Sequence, residues 1–319
     1  MMDCTDRHDR FLLRLITRHA LLYTEMITSN ALINGDRARL LHFDEAEHPL
    51  ALQVGGSEPG QMAECARYVE SYGYDEINVN VGCPSDRVQS GRFGACLMAE
   101  PNLVADCVDA MQAAVTIPVT VKTRIGIDRD ESLDQLSTFV GTVAAAGCKT
   151  FIVHARRAWL NGISPKQNRQ IPPLNYERVY ELKQSRPDLT IIINGGIKTL
   201  DGAGRHLDKV DGVMMGREAY ATPYLLAQVD SRFYGSRSEP LSREAVLDHY
   251  LEYCEREVKN GCALNHLSRH LTGLFHGQAG ARRWRRCVNE HARRTGAGVE
   301  LIRRAAHQHV STAKAEHHR

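Results

Sequence analysis

Short apolar runs alternate with longer amphipathic segments along most of the chain. Seven of these runs are predicted strands, and most of them are nearly continuous in Val and Ile, as is typical of parallel strands that are buried on both faces. Segments with helical spacing, such as QMAECARYVESYG and LVADCVDAMQAAV, lie between them. The pattern predicts βα alternation, with strands over residues 21–26, 50–56, 76–82, 117–125, 150–156, 190–196 and 211–217.

Polar and reactive residues recur where these predicted strands end. A doubly wound sheet collects its ligand groups at one switch point, whereas a barrel collects them from all strand ends on one face. We therefore predict an α/β fold, a (β/α)₈ TIM barrel whose first strand is missing or lies upstream of Met1. The strand-end residues are Glu25, Gln53, Asn80 with Cys83, Lys122 with Arg124, His154 with Arg156, Asn194, and Gly216 with Arg217.

The alternation stops near Gly235, and amphipathic helices separated by glycines follow. The final HQHVSTAKAEHHR has no apolar periodicity, which is typical of a frayed end. The chain is therefore predicted to have a catalytic barrel over residues 1–235, a small all-helical domain over 236–310 and a frayed tail over 311–319.

The helical part differs in charge from the rest of the chain. Residues 240–319 hold 14 Lys and Arg against 8 Asp and Glu, a net charge of +6, whereas the whole chain carries only +2. A basic appendage on a mildly acidic body indicates a polyanionic partner such as nucleic acid, although excess charge on a helical surface also serves solubility.

Composition argues against several classes of protein. No apolar run approaches the ~20 residues of a membrane helix, and MMDCTDRHDRFLLRL lacks the layout of a signal peptide. The nine cysteines include no C-x-x-C pair, which argues against a disulfide framework and a zinc site. We expect a cytoplasmic monomer with reduced thiols, no metal and no membrane association.

Two glycine turns and one strand lysine indicate an anionic ligand. INGGIKT and MMGREAY end late strands, where barrels bind phosphate through backbone N–H groups, although each could be an ordinary turn that needs positive φ. A buried ammonium at Lys122 needs an anionic partner, either a ligand or an interior carboxylate. His154 alone would be typical of a core histidine, but its pairing with Lys122 favours function. No G-x-G-x-x-G follows a strand, so an integral Rossmann nicotinamide site is not predicted.

Cys83 lies in a loop at the predicted catalytic rim, between Gly82 and Pro84. We expect Cys65, Cys107 and Cys148 to be buried small hydrophobes instead. At the rim a thiol can serve as a nucleophile, as half of a redox pair or as a general acid. These residues alone do not decide among the three roles.

Several motifs together resemble the tRNA-dihydrouridine synthases. They are MMDCTDRH, YTEMIT, ALQVGG, YDEINVNVGCPSDRVQSGRFGACLM, PVTVKTRIGID, INGGI and DGVMMGREAY, and HARRAWLNGISPKQNRQIPPL is similar to the A subfamily in particular. The resemblance extends from Met1 to beyond Arg286. The Ala-Pro pair that normally precedes Met1 is absent, and Cys4 stands where tryptophan is common.

The resemblance implies an FMN-binding barrel, a helical tRNA-binding domain and the reduction of a D-loop uridine at position 20 or 20a to 5,6-dihydrouridine. NADPH would reduce FMN, a hydride would pass from FMN to C6 of the uracil, and Cys83 would supply the proton to C5. The residues implied for FMN are Met1, Met2, Gln53, Lys122, His154, Asn194, Gly195, Gly196, Gly216 and Arg217. Those implied for tRNA are Asn80, Lys166, Arg169, Arg282 and Arg285.

Two alternatives stand beside this hypothesis. An FMN barrel that reduces a small molecule, as dihydroorotate dehydrogenases do, explains the phosphate turns, Lys122 and Cys83 but not ARRWRR. An RNA-binding protein on an inactive barrel explains only the basic helical part.

Overall fold

A computed structural model describes residues 1–292, 299–300, 302–304 and 306, so the tail predicted over 311–319 lies outside the described residues. Contacts within the chain define two compact units. The sheet unit comprises Tyr23–Phe43 and His48–Gly216, and the helical unit comprises Met1–Leu22, Asp44–Glu47 and the described residues from Arg217 onward. A domain limit at residue 235 stays a prediction.

Seven strands form one sheet among the described residues, and each lies within a few residues of its predicted limits. They are β1 Leu22–Thr28, β2 Leu50–Gly55, β3 Glu76–Val81, β4 Val119–Arg124, β5 Thr150–His154, β6 Thr190–Asn194 and β7 Gly212–Met214. The strands follow one another in sequence order across the sheet, and β2 through β7 pair in parallel. This is the order in which strands follow around a (β/α)₈ barrel, and it confirms the predicted α/β class.

Helices separate the strands of the sheet unit. They are α2 Ser29–Asn34, α3 Arg37–Leu40, α4 Pro59–Ser71, α5 Asp86–Ser90, α6 Pro101–Gln112, α7 Leu133–Ala145, α8 Tyr176–Ser185 and α9 Leu200–Leu207, with 3₁₀ turns at Gly94–Ala99 and Gln167–Arg169. The helical unit holds α1 Arg7–Ile16, α10 Arg217–Ala221, α11 Val229–Phe233, α12 Arg243–Lys259, α13 Leu264–Ser268 and α14 Ala281–Ala292, with 3₁₀ turns at Glu45–Glu47, Pro223–Gln228 and Arg269–Gly273.

Helix α4 shows how the sequence determines where a helix begins and which of its residues are buried. It begins at Pro59, whose missing N–H costs nothing at a first helical position. The Glu58 carboxylate accepts from the backbone N–H groups of Gly60 and Gln61 at 3.0 and 2.6 Å. Its apolar positions are buried, Cys65 among them.

The structural role predicted for three cysteines is confirmed. Cys65, Cys107 and Cys148 are free thiols with at most 2% exposure. Burial raises the pKa of each to about 12, so these thiols stay protonated and unreactive.

The helical unit has its own core. Trp284 of α14 is only 1% exposed, and its Nε1 donates to the Leu271 carbonyl at 2.8 Å. Its ring meets Phe275 edge to face, with centroids 5.0 Å apart. Since the indole is both packed and hydrogen-bonded, it anchors α14 and sets which face of that helix is exposed.

Candidate active site

The carboxyl ends of the middle strands bring predicted site residues side by side. In the sheet register, Asn80 on β3 lies beside Lys122 on β4, and His154 on β5 lies beside Asn194 on β6. Parallel neighbours end at the same edge of a sheet, so residues far apart in sequence meet there.

Lys122 and Asn194 form the centre of this edge. The Lys122 Nζ donates to Asn194 Oδ1 at 3.2 Å, and Asn194 Nδ2 donates to the Met214 carbonyl at 2.7 Å. Burial lowers the pKa of Lys122 to about 8; the Arg124 guanidinium lowers it as well, and Cys83 raises it. No carboxylate among the described residues pairs with this ammonium, which disfavours the alternative of an interior ion pair. An anionic ligand group would stabilise its charged form.

Hydrogen bonds to the backbone N–H and to the carbonyl of Cys83 hold the loop that carries this residue. The Asn80 Oδ1 accepts from the N–H groups of Gly82 and Cys83 at 3.1 and 3.0 Å. The Cys83 carbonyl accepts from Ala95 N at 2.9 Å. At Gly94, where φ is +80°, a Cβ would lie 2.4 Å from the Cys83 carbonyl oxygen, so the loop can close only on a glycine.

The half-buried thiol of Cys83 lies near two cations and a hydroxyl. Its Sγ is 3.6 Å from Ser85 Oγ, and it interacts electrostatically with Lys122 and Arg124. Cys83 and Cys96 are both free thiols. The surroundings therefore suit a thiol whose charged form must be stabilised, rather than a disulfide.

Arg124 joins two loops at this edge. The residue is 4% exposed, and its Nε donates to the Gly82 carbonyl at 2.9 Å. Its Nη1 donates to the carbonyls of Arg157 and Asn168, each at 3.2 Å. Burial lowers the pKa of Arg124 to about 10, and Cys83 opposes that shift. Arg124 thus ties the Cys83 loop to the segment that contains Lys166 and Arg169.

The first predicted phosphate turn has the required backbone. Gly195 and Gly196 have φ values of +119° and +69°. A Cβ on Gly195 would come within 2.6 Å of the His154 ring, so glycine lets His154 pack against the turn. The Gly195 carbonyl accepts from the Tyr176 hydroxyl at 2.8 Å. Gly195 is buried, whereas Gly196 is exposed, so an anion could approach the backbone of the turn at Gly196.

The other predicted residues are distributed over both units. Gly216 ends the sheet unit, while Met1, Met2 and Arg217 belong to the helical unit, so their share in a flavin site stays a prediction. Lys166 and Arg169 are exposed around a 3₁₀ turn of the sheet unit. Arg282 and Arg285 are exposed on α14, where they line a cavity of about 600 Å³. Asn80 is 8% exposed, and its role in RNA binding also stays a prediction.

A comparison with known families decides where the chain belongs. The family described as "Dihydrouridine synthase (Dus)" matches residues 1–311. The chain belongs to the dihydrouridine synthase family. The family resemblance inferred from the sequence motifs is thereby confirmed.

Curated relatives of this synthase family match nearly the full length. The "tRNA-dihydrouridine(20/20a) synthase" of Shewanella oneidensis is 57% identical over 312 residues, which are 98% of this chain and 92% of the relative. The protein of the same name from Vibrio cholerae is 54% identical over 306 residues, which are 96% of this chain and 93% of the relative.

A solved structure supports the barrel fold of this synthase. Morphinone reductase in complex with tetrahydroNAD has a TM-score of 0.51 at 13% identity, covering 75% of this chain and 85% of that chain. Among the residues that the structure describes, no helix is long and apolar enough to cross a membrane, and no cluster of three or more His, Cys, Asp and Glu could hold a metal ion.

Sequence reasoning missed part of this synthase's site. The sequence pattern puts Arg124 at a strand end but indicates no role for it, and it puts Glu76 and Asn78 inside a predicted buried strand. The missed signal is alternation: Glu76, Asn78 and Asn80 are spaced by two and share one face of β3. Polar residues at that spacing inside a buried strand indicate a hydrogen-bonded interior.

Proposed function

We propose that this protein reduces uridine in tRNA to 5,6-dihydrouridine at positions 20 and 20a, with FMN as its flavin and NADPH as its reductant. The single observation that carries the proposal is the family match over residues 1–311. Relatives that are 57% and 54% identical over nearly the whole chain carry the matching name.

The strand ends of the sheet unit fit FMN. Lys122 and the amides of Gln53 and Asn194 supply a cation and polar groups for the ring, beside His154. The positive-φ turn at Gly195 and Gly196 suits a phosphate, because bare backbone can approach its oxygens. When bound, the flavin supplies the hydride that C6 of the uracil accepts.

Cys83 serves as the general acid of this reaction. It donates its proton to C5 of the uracil and is left as a thiolate, so that one hydride and one proton complete the reduction of the C5–C6 double bond. The Lys122 and Arg124 cations interact with Cys83 and would stabilise the developing thiolate. A general acid contributes about 10²- to 10⁴-fold in rate.

Exposed basic residues hold the tRNA. A base in folded RNA must leave its stack to enter an enzyme pocket, at a cost of a few kcal/mol. Contacts from Lys166 and Arg169 and from Arg282 and Arg285 to the RNA backbone offset that cost. Arg282 and Arg285 are three positions apart on α14, so they share a side of the helix.

The proposal extends to the domain limits, the oligomeric state and the location of the protein. A helical tRNA-binding domain over residues 236–310 and a catalytic barrel over 1–235 would act in one monomer in the cytoplasm, where tRNA is used. Limited proteolysis would test the limit at residue 235, and light scattering would test the oligomeric state.

Complementation tests the function directly. The gene is expressed in cells that lack their own dihydrouridine synthases, and dihydrouridine is mapped in their tRNA. We expect it at positions 20 and 20a, and its restoration only at other positions would contradict the proposal. A yellow protein that leaves tRNA unchanged would support the small-molecule alternative, while a colourless one would contradict the flavin.

A further inference from the structure

A row of hydrogen-bonded polar side chains runs through the sheet unit to the Cys83 loop. Its members are Glu76, Thr120, Asn78, Gln53 and Asn80. It begins at Glu76, which is 8% exposed, and passes through Thr120 and Asn78, which are 2% and 0% exposed. Such groups are stable inside a protein only when each finds a hydrogen-bond partner. The catalytic roles given above do not explain why these three residues are polar.

At the Glu76 end of the row, the carboxylate accepts hydrogen bonds from two hydroxyl groups. The hydroxyls of Tyr23 and Thr120 both donate to Glu76 Oε1, at 2.7 and 2.6 Å. Burial and the nearby Glu76 raise the pKa of Tyr23, so the phenol keeps its proton. The Thr120 hydroxyl uses its one proton on Glu76, and therefore it can only accept from Asn78 Nδ2, at 2.8 Å.

The direction set at Glu76 continues along the row. Asn78 Oδ1 accepts from Gln53 Nε2 at 2.8 Å, and Gln53 Oε1 accepts from Asn80 Nδ2 at 2.7 Å. Every amide in the row therefore points its nitrogen toward Glu76 and its oxygen toward Cys83.

The Cys83 end imposes the same direction independently. Asn80 Oδ1 accepts from the backbone N–H groups of Gly82 and Cys83, and a backbone N–H can only donate. A carboxylate at position 76 can only accept. The two ends require the same orientation of the amides, and in that orientation every hydrogen bond along the row joins a donor to an acceptor.

We infer that Glu76 is a positioning residue for Cys83, because it supplies at the far end of the row the acceptor that matches the orientation in which Asn80 Oδ1 holds the Cys83 backbone. The inference rests on the proposed function, in which Cys83 donates the proton. The same orientation leaves each amide nitrogen of Gln53 and Asn80 with a second N–H. A flavin or uracil oxygen would meet donors there rather than carbonyl oxygens.

Substitution of the central link tests the row. Thr120→Val keeps the shape of the side chain but removes both its bonds, whereas Thr120→Ser keeps the hydroxyl. Tyr23→Phe is the matched control, since it removes a bond to Glu76 that is not part of the row. We expect single-turnover reduction of tRNA by pre-reduced enzyme to fall roughly tenfold or more in Thr120→Val. It should stay within about twofold of wild type in the other two variants.

A second readout needs neither flavin nor tRNA. Alkylation of Cys83 by iodoacetamide is followed on its peptide by mass spectrometry, with Cys96 as the internal reference. We expect the alkylation rate of Cys83 to differ from that of wild type by about fivefold or more in Thr120→Val and in Glu76→Leu, because the reactivity of a thiol depends on the groups around its sulfur. The alkylation rate of Cys96 should not change. Tyr23→Phe should alkylate like wild type.

The outcomes separate this inference from the proposed function. If Thr120→Val matches wild type in both measurements, or if Tyr23→Phe loses as much as Thr120→Val, the positioning role is wrong. If wild type itself reduces no tRNA, the proposed function is wrong, and the alkylation series still decides on the row. If Glu76→Leu does not fold, Thr120→Val decides alone.

Discussion

The sheet unit and the helical unit present their proposed functional residues in opposite ways. Lys122 is fixed among strand ends by a hydrogen bond to Asn194, and Cys83 is held through its backbone by Asn80. In the helical unit, Arg282 and Arg285 are exposed on a helix that Trp284 anchors from its other side. Under the proposed function, the groups at the strand ends act by position, whereas the exposed arginines act by charge. A replacement that keeps the charge but changes the shape of the side chain should therefore fail in the first region and succeed in the second.

The largest effect is expected from Cys83, the proposed general acid. Cys83→Ala should lower the single-turnover rate of uridine reduction about 10²- to 10⁴-fold, because no proton is then delivered to C5. Flavin content should not change. Cys96→Ala is the matched control from the same loop region and should keep the wild-type rate. A fully active Cys83→Ala would remove the thiol from the mechanism.

The next effect concerns the half-buried cation of Lys122. Lys122→Met should weaken FMN binding to the apoprotein about 10- to 100-fold, the range for one charge-assisted hydrogen bond of about 1.5–3 kcal/mol. Lys122→Arg keeps the charge but not the shape, and we expect a similar loss. The change is measured by quenching of flavin fluorescence on titration. Wild-type affinity in Lys122→Arg would show that charge alone matters at this strand end.

The pH dependence of the same binding gives a smaller effect. The pKa of Lys122 is about 8 in the folded protein, so the ammonium is present below pH 8 and is lost as the pH rises through that value. FMN affinity should accordingly fall above pH 8 in wild type. Lys122→Met should show no step near pH 8, and a step of equal size in that variant would assign the titration to another group.

The smallest effects are expected on α14. Arg282→Ala should weaken tRNA binding several-fold and reduce the slope of log K against log salt by about 0.7–0.9, the value for one phosphate contact. Arg282→Lys should bind within about twofold of wild type, because a phosphate contact of this kind needs a cation and little geometry. Filter binding at several salt concentrations checks both. A large loss in Arg282→Lys would show that position matters here too.

Much of the fold was predictable because local patterns carry it. The apolar runs located all seven strands, and the amphipathic spacing located α4 and α6. Local geometry also made Gly195 and Gly196 recognisable, since a turn that needs positive φ selects glycine. The three structural cysteines were predictable because a free cysteine away from a strand end is usually a buried small hydrophobe.

The partners of the site residues were not predictable in this way. Arg124 contacts the carbonyls of Gly82, Arg157 and Asn168, which are up to 44 positions away in the sequence. Nothing in VTVKTR distinguishes a side chain that ties loops together from one that binds a ligand. Asn80 likewise was assigned to RNA, and only the structure shows its oxygen on the Cys83 loop.

By itself the sequence determined the βα pattern, the basic helical part and the place of Cys83 at a strand end, since each depends on neighbours along the chain. The tertiary structure decided which groups meet: Lys122 with Asn194, and Glu76 with Thr120 and Tyr23. The physical reason is that hydrogen bonds and burial depend on distances in space. Those distances exist only once the strands have taken their register in the sheet.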